Sequence, residues 1–166
     1  MSNGQQRPLI ELEIQIDDLV ADIVPPEAEA QLRRAVVVTL PASPPVPQSL
    51  TILLTGDEQL QRLNRDFLGF DQPTDVLSFP DGDLMREGGA YLGDIAISVE
   101  RAQQQATAGG HNLLDELQLL TVHGVLHLLG HDHADEDEKQ AMWTAQSAVL
   151  TELGLDGTLM NTDEYR

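Results

Sequence analysis

Four of the five histidines lie in one short segment, His123-Gly-Val-Leu-His127-Leu-Leu-Gly130-His131-Asp132-His133. Imidazole carries a nitrogen lone pair at physiological pH, so a cluster of this kind points to metal ligation or proton transfer. On a helix, His123 and His127 stand one turn apart on the same face, and their rings can converge on one ion. Gly130 lets the chain leave the helix in a backbone conformation that other residues avoid. After that turn, His133 can bring a third nitrogen from a different direction. Three neutral imidazoles leave a fourth tetrahedral position open, the arrangement of a catalytic zinc rather than of a closed structural one.

A competing set replaces His133 by His131, which would continue the same face if the helix continued. Gly130 speaks for His133 and leaves His131 at the rim. The plainer alternative is a group of solvated or core histidines near a helix end, where a protonated ring suits the helix dipole. A pair at i, i+4 followed by glycine and a further histidine favours the metal. His111 is expected to be an ordinary exposed residue ahead of its helix. The spacing H-x3-H-x2-G-x2-H equals that of the metzincin metalloproteases, which carry a glutamate after the first histidine as general base. Here that position is Gly124. Peptide hydrolysis by that route lacks its base.

The elements that must hold this centre are legible in the patterning. Ile10, Leu12, Ile14 and Ile16 alternate with polar residues, which predicts a half-buried strand. Pro25–Pro26 opens a helix to about Val38; Pro41–Pro47 reads as a loop and Leu50–Leu54 as a buried strand. Asp57 is the expected N-cap of a helix carrying Leu60, Leu63 and Phe67 and ending at Gly69. Val76–Phe79 and Leu92–Ser98 read as strands flanking the turn-rich segment Pro80–Gly89. Ser98 caps a helix over Val99, Ala102 and Ala106 that stops at Gly109–Gly110. Asn112–Leu129 is the strongest helix, with an apolar stripe of Leu113, Leu117, Leu120, Gly124 and Leu128. Asp135, with Glu138 three residues on, opens a last helix that runs to Leu153 before Gly154. The order β-α-β-α-β-β-α-α-α predicts an α+β fold with α/β-type layers: one domain, a small mixed sheet, about five helices, and the metal site on a helix and the turn after it.

Composition narrows the function. The chain has 166 residues, one domain's worth, and 41% hydrophobic content, enough for a core. There is no cysteine, hence no disulfide, thiolate metal site or cysteine nucleophile. No apolar run approaches the roughly 18–20 residues of a membrane span. Met1–Pro8 lacks the apolar core of a secretory signal, so the expected compartment is the cytoplasm. The net charge of −19 is unfavourable for holding nucleic acid through its phosphates. Only Arg33–Arg34 and the pair Arg62 and Arg65 concentrate positive charge.

The chain resembles the YbeY endoribonucleases, bacterial rRNA maturation factors. The resemblance rests on His123-Gly-x-Leu126-His127-Leu128-x-Gly130-x-Asp132-His133, on Pro73-Thr74-Asp75-Val76-Leu77-Ser78-Phe79-Pro80, and on Leu92-Gly93-Asp94-Ile95. It covers residues 9–155, leaving 1–8 as a flexible segment and 156–166 as a polar tail. It implies one domain with helices around a small mixed sheet, and one Zn²⁺ per chain held by His123, His127 and His133. It also implies a single-strand-preferring endoribonuclease acting in 16S rRNA 3′-end maturation and ribosome quality control.

The family commonly reads Leu-Asn-x-x-Tyr-Arg-x-Lys-Asp-x-Pro-Thr, with an arginine important for activity. The present chain has Leu68 at that arginine position and Phe70 at the lysine position. Arg65, or else Arg62, is the candidate catalytic substitute, against a plain reading as solvated helix charge. Asp94 and Asp75 are candidates for orienting a ligand histidine, or else strand-end residues. The implied partner is RNA, the 16S rRNA precursor, with no DNA or membrane. An acidic protein needs a basic partner, a ribosomal protein or a ribosome-associated GTPase, to present that RNA. Two alternative readings are a non-catalytic assembly factor with a structural or residual zinc, and a metal-dependent peptide or ester hydrolase.

Overall fold

A computed structural model describes residues 10–41, 47–80, 90–132 and 134–155. The expected segments 1–8 and 156–166, most of the loops Pro41–Pro47 and Pro80–Gly89, and His133 lie outside the described residues. The elements are β1 (Ile10–Ile16), α1 (Ala28–Thr39), β2 (Gln48–Thr55), α2 (Asp57–Leu63), β3 (Val76–Pro80), β4 (Ala90–Ser98), α3 (Val99–Gly109), α4 (Leu113–Leu128) and α5 (Glu136–Glu152). Among the described residues, five α-helices and a four-stranded sheet in the expected order make an α+β fold. The sheet order is β1-β2-β4-β3, with β1, β2 and β4 parallel and β3 antiparallel along β4.

Strand alternation sorts the core into two layers. Leu50, Ile52 and Leu54 of β2 and Ile95 and Ile97 of β4 face Leu32 and Val36 of α1 and Leu117 and Leu120 of α4. On the other face, Ala96 and Leu77 meet Leu60 of α2. A smaller cluster, including Ala35, Leu119, Leu126, Met142 and Leu150, joins α1, α4 and α5. The stripe read on α4 is buried, and so are all the residues from Leu117 to Leu126. Each fully buried leucine contributes about 1.5–3 kcal/mol of transfer free energy, so α4 is the packing axis as well as the carrier of His123 and His127.

Local chemistry sets the helix ends. Ser98, Asn112 and Asp135 accept from the backbone N–H groups of Arg101, Asp115 and Glu138 at 3.2, 2.8 and 2.8 Å. Pro25 and Pro26 form a lead-in: the Pro25 carbonyl accepts from Ala28 N–H at 3.0 Å, and α1 begins there rather than at the prolines. Asp57 is the first residue of α2 rather than its N-cap, which is Gly56. Its carboxylate is taken by the Arg101 guanidinium, at 2.9 Å to each oxygen, and by Ser98 Oγ at 3.2 Å. Glu100 caps in its place, accepting from Asp57 N–H at 3.0 Å. After Leu63 the chain winds through a π-helical turn, Asn64–Leu68, before Gly69. Phe67 leaves the expected apolar face and is exposed, its ring edge-on to Phe79.

The Asp57–Arg101 pair ties α2 to α3 and makes stability pH-dependent. Hydrogen bonding from Arg101 holds the Asp57 carboxyl below its ordinary 3.8. The stabilisation is therefore present above that value and lost as pH falls through the folded pKa. Asp57→Asn is expected to cost about 1 kcal/mol at pH 7, screened because the pair is partly exposed. The gap between variant and wild-type melting temperatures should close as pH falls below about 4; a gap that stays constant to pH 2 would contradict this assignment.

Candidate metal centre and its cleft

His123 is buried and His127 half-buried near the C-terminal end of α4. Their Nε2 atoms stand 3.1 Å apart, with the rings edge-to-face at 73°. Two lone pairs at that distance repel, so this geometry requires a shared proton or a shared cation between them. Ligands of one tetrahedral zinc, each about 2.0–2.1 Å from the ion, stand about 3.3 Å from each other. The pair fits that requirement.

His123 Nδ1 lies 3.1 Å from Gln146 Oε1 on α5. With the amide oxygen accepting, Nδ1 holds the ring proton and Nε2 keeps its lone pair for the side facing His127. Gln146 is itself buried, between Met142 and Leu150 on the inner stripe of α5. It is a site residue that sequence reading missed. The available signal was a glutamine at i+4 from one core residue and i−4 from another.

Gly130 ends α4 as expected. At φ 97° it donates to the His127 carbonyl at 3.0 Å, while His131 N–H reaches the Leu126 carbonyl at 3.0 Å. This paired closure takes His131 off the helical face. His131 still lines the cleft of about 570 Å³ into which His123 and His127 open, as do Asp132 and Ser78. Ser78 belongs to the edge strand β3 and donates from Oγ to the Gly124 carbonyl at 3.2 Å. Leu68 and Phe70 form part of the apolar wall, together with Val76, Leu77 and Pro80.

His133, the third candidate ligand, lies outside the described residues. Among the described residues, no three histidine, aspartate or glutamate side chains converge as a metal site.

Arg65, Arg62, Asp75 and Asp94 do not line the cleft. Arg65 Nε donates to Asp66 at 2.9 Å, and Arg62 bonds Gln59 and pairs with Glu58. Asp75 accepts from Val76 N–H at 2.8 Å and from Gln105 at 3.3 Å, and burial pushes its carboxyl above the ordinary value. Asp94 is exposed and accepts from the Tyr91 hydroxyl. His111 was expected to be exposed, but its side chain is only 13% accessible and its Nε2 lies 2.5 Å from the buried Glu116 carboxylate. A helix-start histidine meets a core carboxylate one turn on, which exposure reasoning from neighbours does not capture.

Gly124 explains why the protease base is absent. A Cβ built there would lie 2.8 Å from Ile95 Cγ2, because α4 packs directly on β4 at this residue. A glutamate at 124 would be driven into the sheet and away from the histidines.

Fold and cleft together define a small α+β protein with a close histidine pair on a cleft beside an edge strand. The family model described as "Endoribonuclease YbeY" matches residues 14–154, and the chain belongs to that family. An endoribonuclease YbeY from Halalkalibacterium halodurans is 47% identical over 115 residues, covering 64% of this chain and 72% of its own. One from Chloroflexus aurantiacus is 43% identical over 152 residues, covering 87% of this chain and 96% of its own. The solution structure of TM1509 from Thermotoga maritima shares the fold with a TM-score of 0.55 at 23% identity, covering 87% of this chain and 88% of its own.

Proposed function

We propose that this chain is a zinc-dependent, single-strand-preferring endoribonuclease that acts on the 16S rRNA precursor in 3′-end maturation and ribosome quality control. The observation that carries the reading is the convergence of His123 and His127 Nε2, 3.1 Å apart, on the cleft. Membership in the endoribonuclease family supports RNA as the substrate. In this reading His123, His127 and His133 hold one Zn²⁺. When bound, such an ion serves as Lewis acid toward a phosphate oxygen and brings water ionisation near neutral pH.

The protein's own part is positional. Gln146 fixes the tautomer of His123, and the Gly130 turn carries the chain on toward His133. Leu68 and Phe70 give the cleft an apolar wall. RNA carries its own nucleophile: the 2′-oxygen bonds to phosphorus as its proton leaves, the bond from phosphorus to the 5′-oxygen breaks, and that oxygen takes up a proton. Ends bearing 2′,3′-cyclic phosphate mark this route, whereas linear phosphate from the first step marks attack by water.

Gln146 supplies a quantitative expectation. Gln146→Leu removes the acceptor for His123 Nδ1–H and should weaken zinc binding roughly 10- to 100-fold. Gln146→Glu, which keeps an acceptor, should retain most of the affinity; competition with a chromophoric chelator measures both. Equal affinities for Gln146→Leu and wild type would remove Gln146 from the centre.

A second reading, a non-catalytic assembly factor with a residual zinc, is favoured by a cleft that has no lysine or arginine among its described lining residues. In either case a net charge of −19 calls for a basic partner, a ribosomal protein or a ribosome-associated GTPase, to present the RNA in the cytoplasm. End-labelled RNA spanning the 16S 3′ end separates the two readings. Cleavage that stops with chelator and returns with zinc supports the nuclease. No cleavage by folded, zinc-loaded protein, alone or on ribosomal particles, supports the assembly factor.

A further inference from the structure

We infer that the cleft grips its RNA by stacking an unpaired nucleobase on Phe70 rather than by holding phosphates with side-chain cations. This rests on the ribonuclease reading and adds the residue and the chemical group that set recognition.

Phe70 lines the same cleft as His123 and His127, and 59% of it is exposed. The segment that carries it is held at several points. Phe70 N–H donates to the Asn64 carbonyl at 3.2 Å, and the buried Asn64 side chain donates to the Gln72 carbonyl at 3.0 Å. Gln61 donates to Asp71 at 3.0 Å, and Gln72 N–H reaches the Phe70 carbonyl at 2.9 Å. The aromatic ring is thus held out beside the site by a bonded loop, although burial would favour it by about 1.5–3 kcal/mol. Phe67 differs: its ring packs edge-on to Phe79, with 5.4 Å between centroids. Among the described residues, Phe70 makes no such ring pair.

Charge points the same way. The described lining residues include Asp132 and no lysine or arginine, in a protein of net charge −19. A strand held chiefly through its phosphates needs cations, and its affinity falls with salt for each one engaged. Stacking needs none, because every base presents a π-face, and it tolerates sequence. It also demands that the base be unpaired, so one aromatic residue ties binding in this cleft to single strands.

The test is binding by the full-length protein to single-stranded 2′-O-methyl oligoribonucleotides, which bind without supplying the 2′-hydroxyl nucleophile. Each carries 2-aminopurine, whose fluorescence is quenched by stacking, at a different position. Wild type should quench the probe at one or two positions. Phe70→Ala should abolish that quenching and raise Kd roughly tenfold, while Phe70→Trp keeps both. An abasic nucleotide at the quenched position should raise the wild-type Kd by a similar factor and leave that of Phe70→Ala unchanged. Phe70 is exposed, so these variants should keep the fold, and circular dichroism checks that they do.

Stacking is overturned if wild type quenches no position, or if Phe70→Ala binds and quenches like wild type because the ring seats a protein partner. The two readings fail separately. Phe70-dependent quenching with no cleavage of unmodified RNA sinks the nuclease and keeps the stacking site. Cleavage with Phe70→Ala equal to wild type does the reverse.

Discussion

Replacing His127 with alanine is expected to reduce RNA cleavage by roughly a thousandfold or more while leaving the protein folded. A bound metal supplies several kcal/mol of charge stabilisation in the transition state, and each 1.36 kcal/mol is about tenfold in rate. His127 is half-buried at the cleft, whereas the side chains that hold α4 to the sheet are Leu117, Leu120, Val125 and Leu128. Truncating the ring should therefore cost little stability. His131→Ala is the discriminating companion. If His133 is the third ligand, His131→Ala keeps its zinc and much of its activity, whereas His133→Ala matches His127→Ala. The reverse pattern would assign the third position to His131. Single-turnover cleavage of a 16S 3′-end fragment, with zinc content measured on the same samples, reads both comparisons.

Gly93→Ala carries the largest expected effect on stability. Gly93 sits at φ 138°, beside the register shift between β2 and β4. An added Cβ would lie 2.3 Å from the Phe79 carbonyl oxygen and 2.9 Å from Leu128 Cδ2. The first contact is backbone of the paired strand, so relief requires β3 to move; the second presses on the end of α4 that carries the histidine pair. Backbone strain and overpacking together should cost about 3–5 kcal/mol, a large part of the 5–15 kcal/mol typical of a domain. Gly130→Ala is the internal control, since it has positive φ and no atom within 4 Å of the added Cβ. It should lose about 1 kcal/mol in urea denaturation. Equal losses for the two variants would mean that the contact with Phe79 does not constrain the sheet.

The parts of this fold that were legible in the sequence are those set by near neighbours. Alternation in Ile10–Ile16 gives a strand because side chains alternate faces. Ser98 and Asp135 give helix starts because their oxygens reach N–H groups three residues on. Gly130 gives a helix end because its φ suits the paired closure. The histidine spacing survives for the same reason, since one helical turn brings His123 and His127 together.

The parts that were not legible are set by contacts distant in the chain. Asp57 looked like an N-cap until Arg101, on another helix, took its carboxylate. Gln146 meets His123 only because α5 folds back along α4. His111 is drawn inward by Glu116, a carboxylate buried in a helix that otherwise reads as apolar. Phe67 left its stripe because a π-helical turn shifts the phase after Leu63. The sheet order β1-β2-β4-β3, which puts β3 on the edge beside the histidines, follows from register and crossover and has no signature in any one segment.

Whether these histidines hold a metal on which RNA cleavage depends is tested by loading wild type and His127→Ala with Co²⁺, following the visible spectrum, and assaying zinc-loaded samples of the same preparations on RNA. Wild type is expected to take up one metal per chain, with the intense bands of a tetrahedral site, and to show chelator-sensitive cleavage. Folded His127→Ala is expected to lose both the bands and the cleavage. Cleavage by metal-free wild type, or a full tetrahedral spectrum in His127→Ala, would mean that these histidines do not hold such a metal.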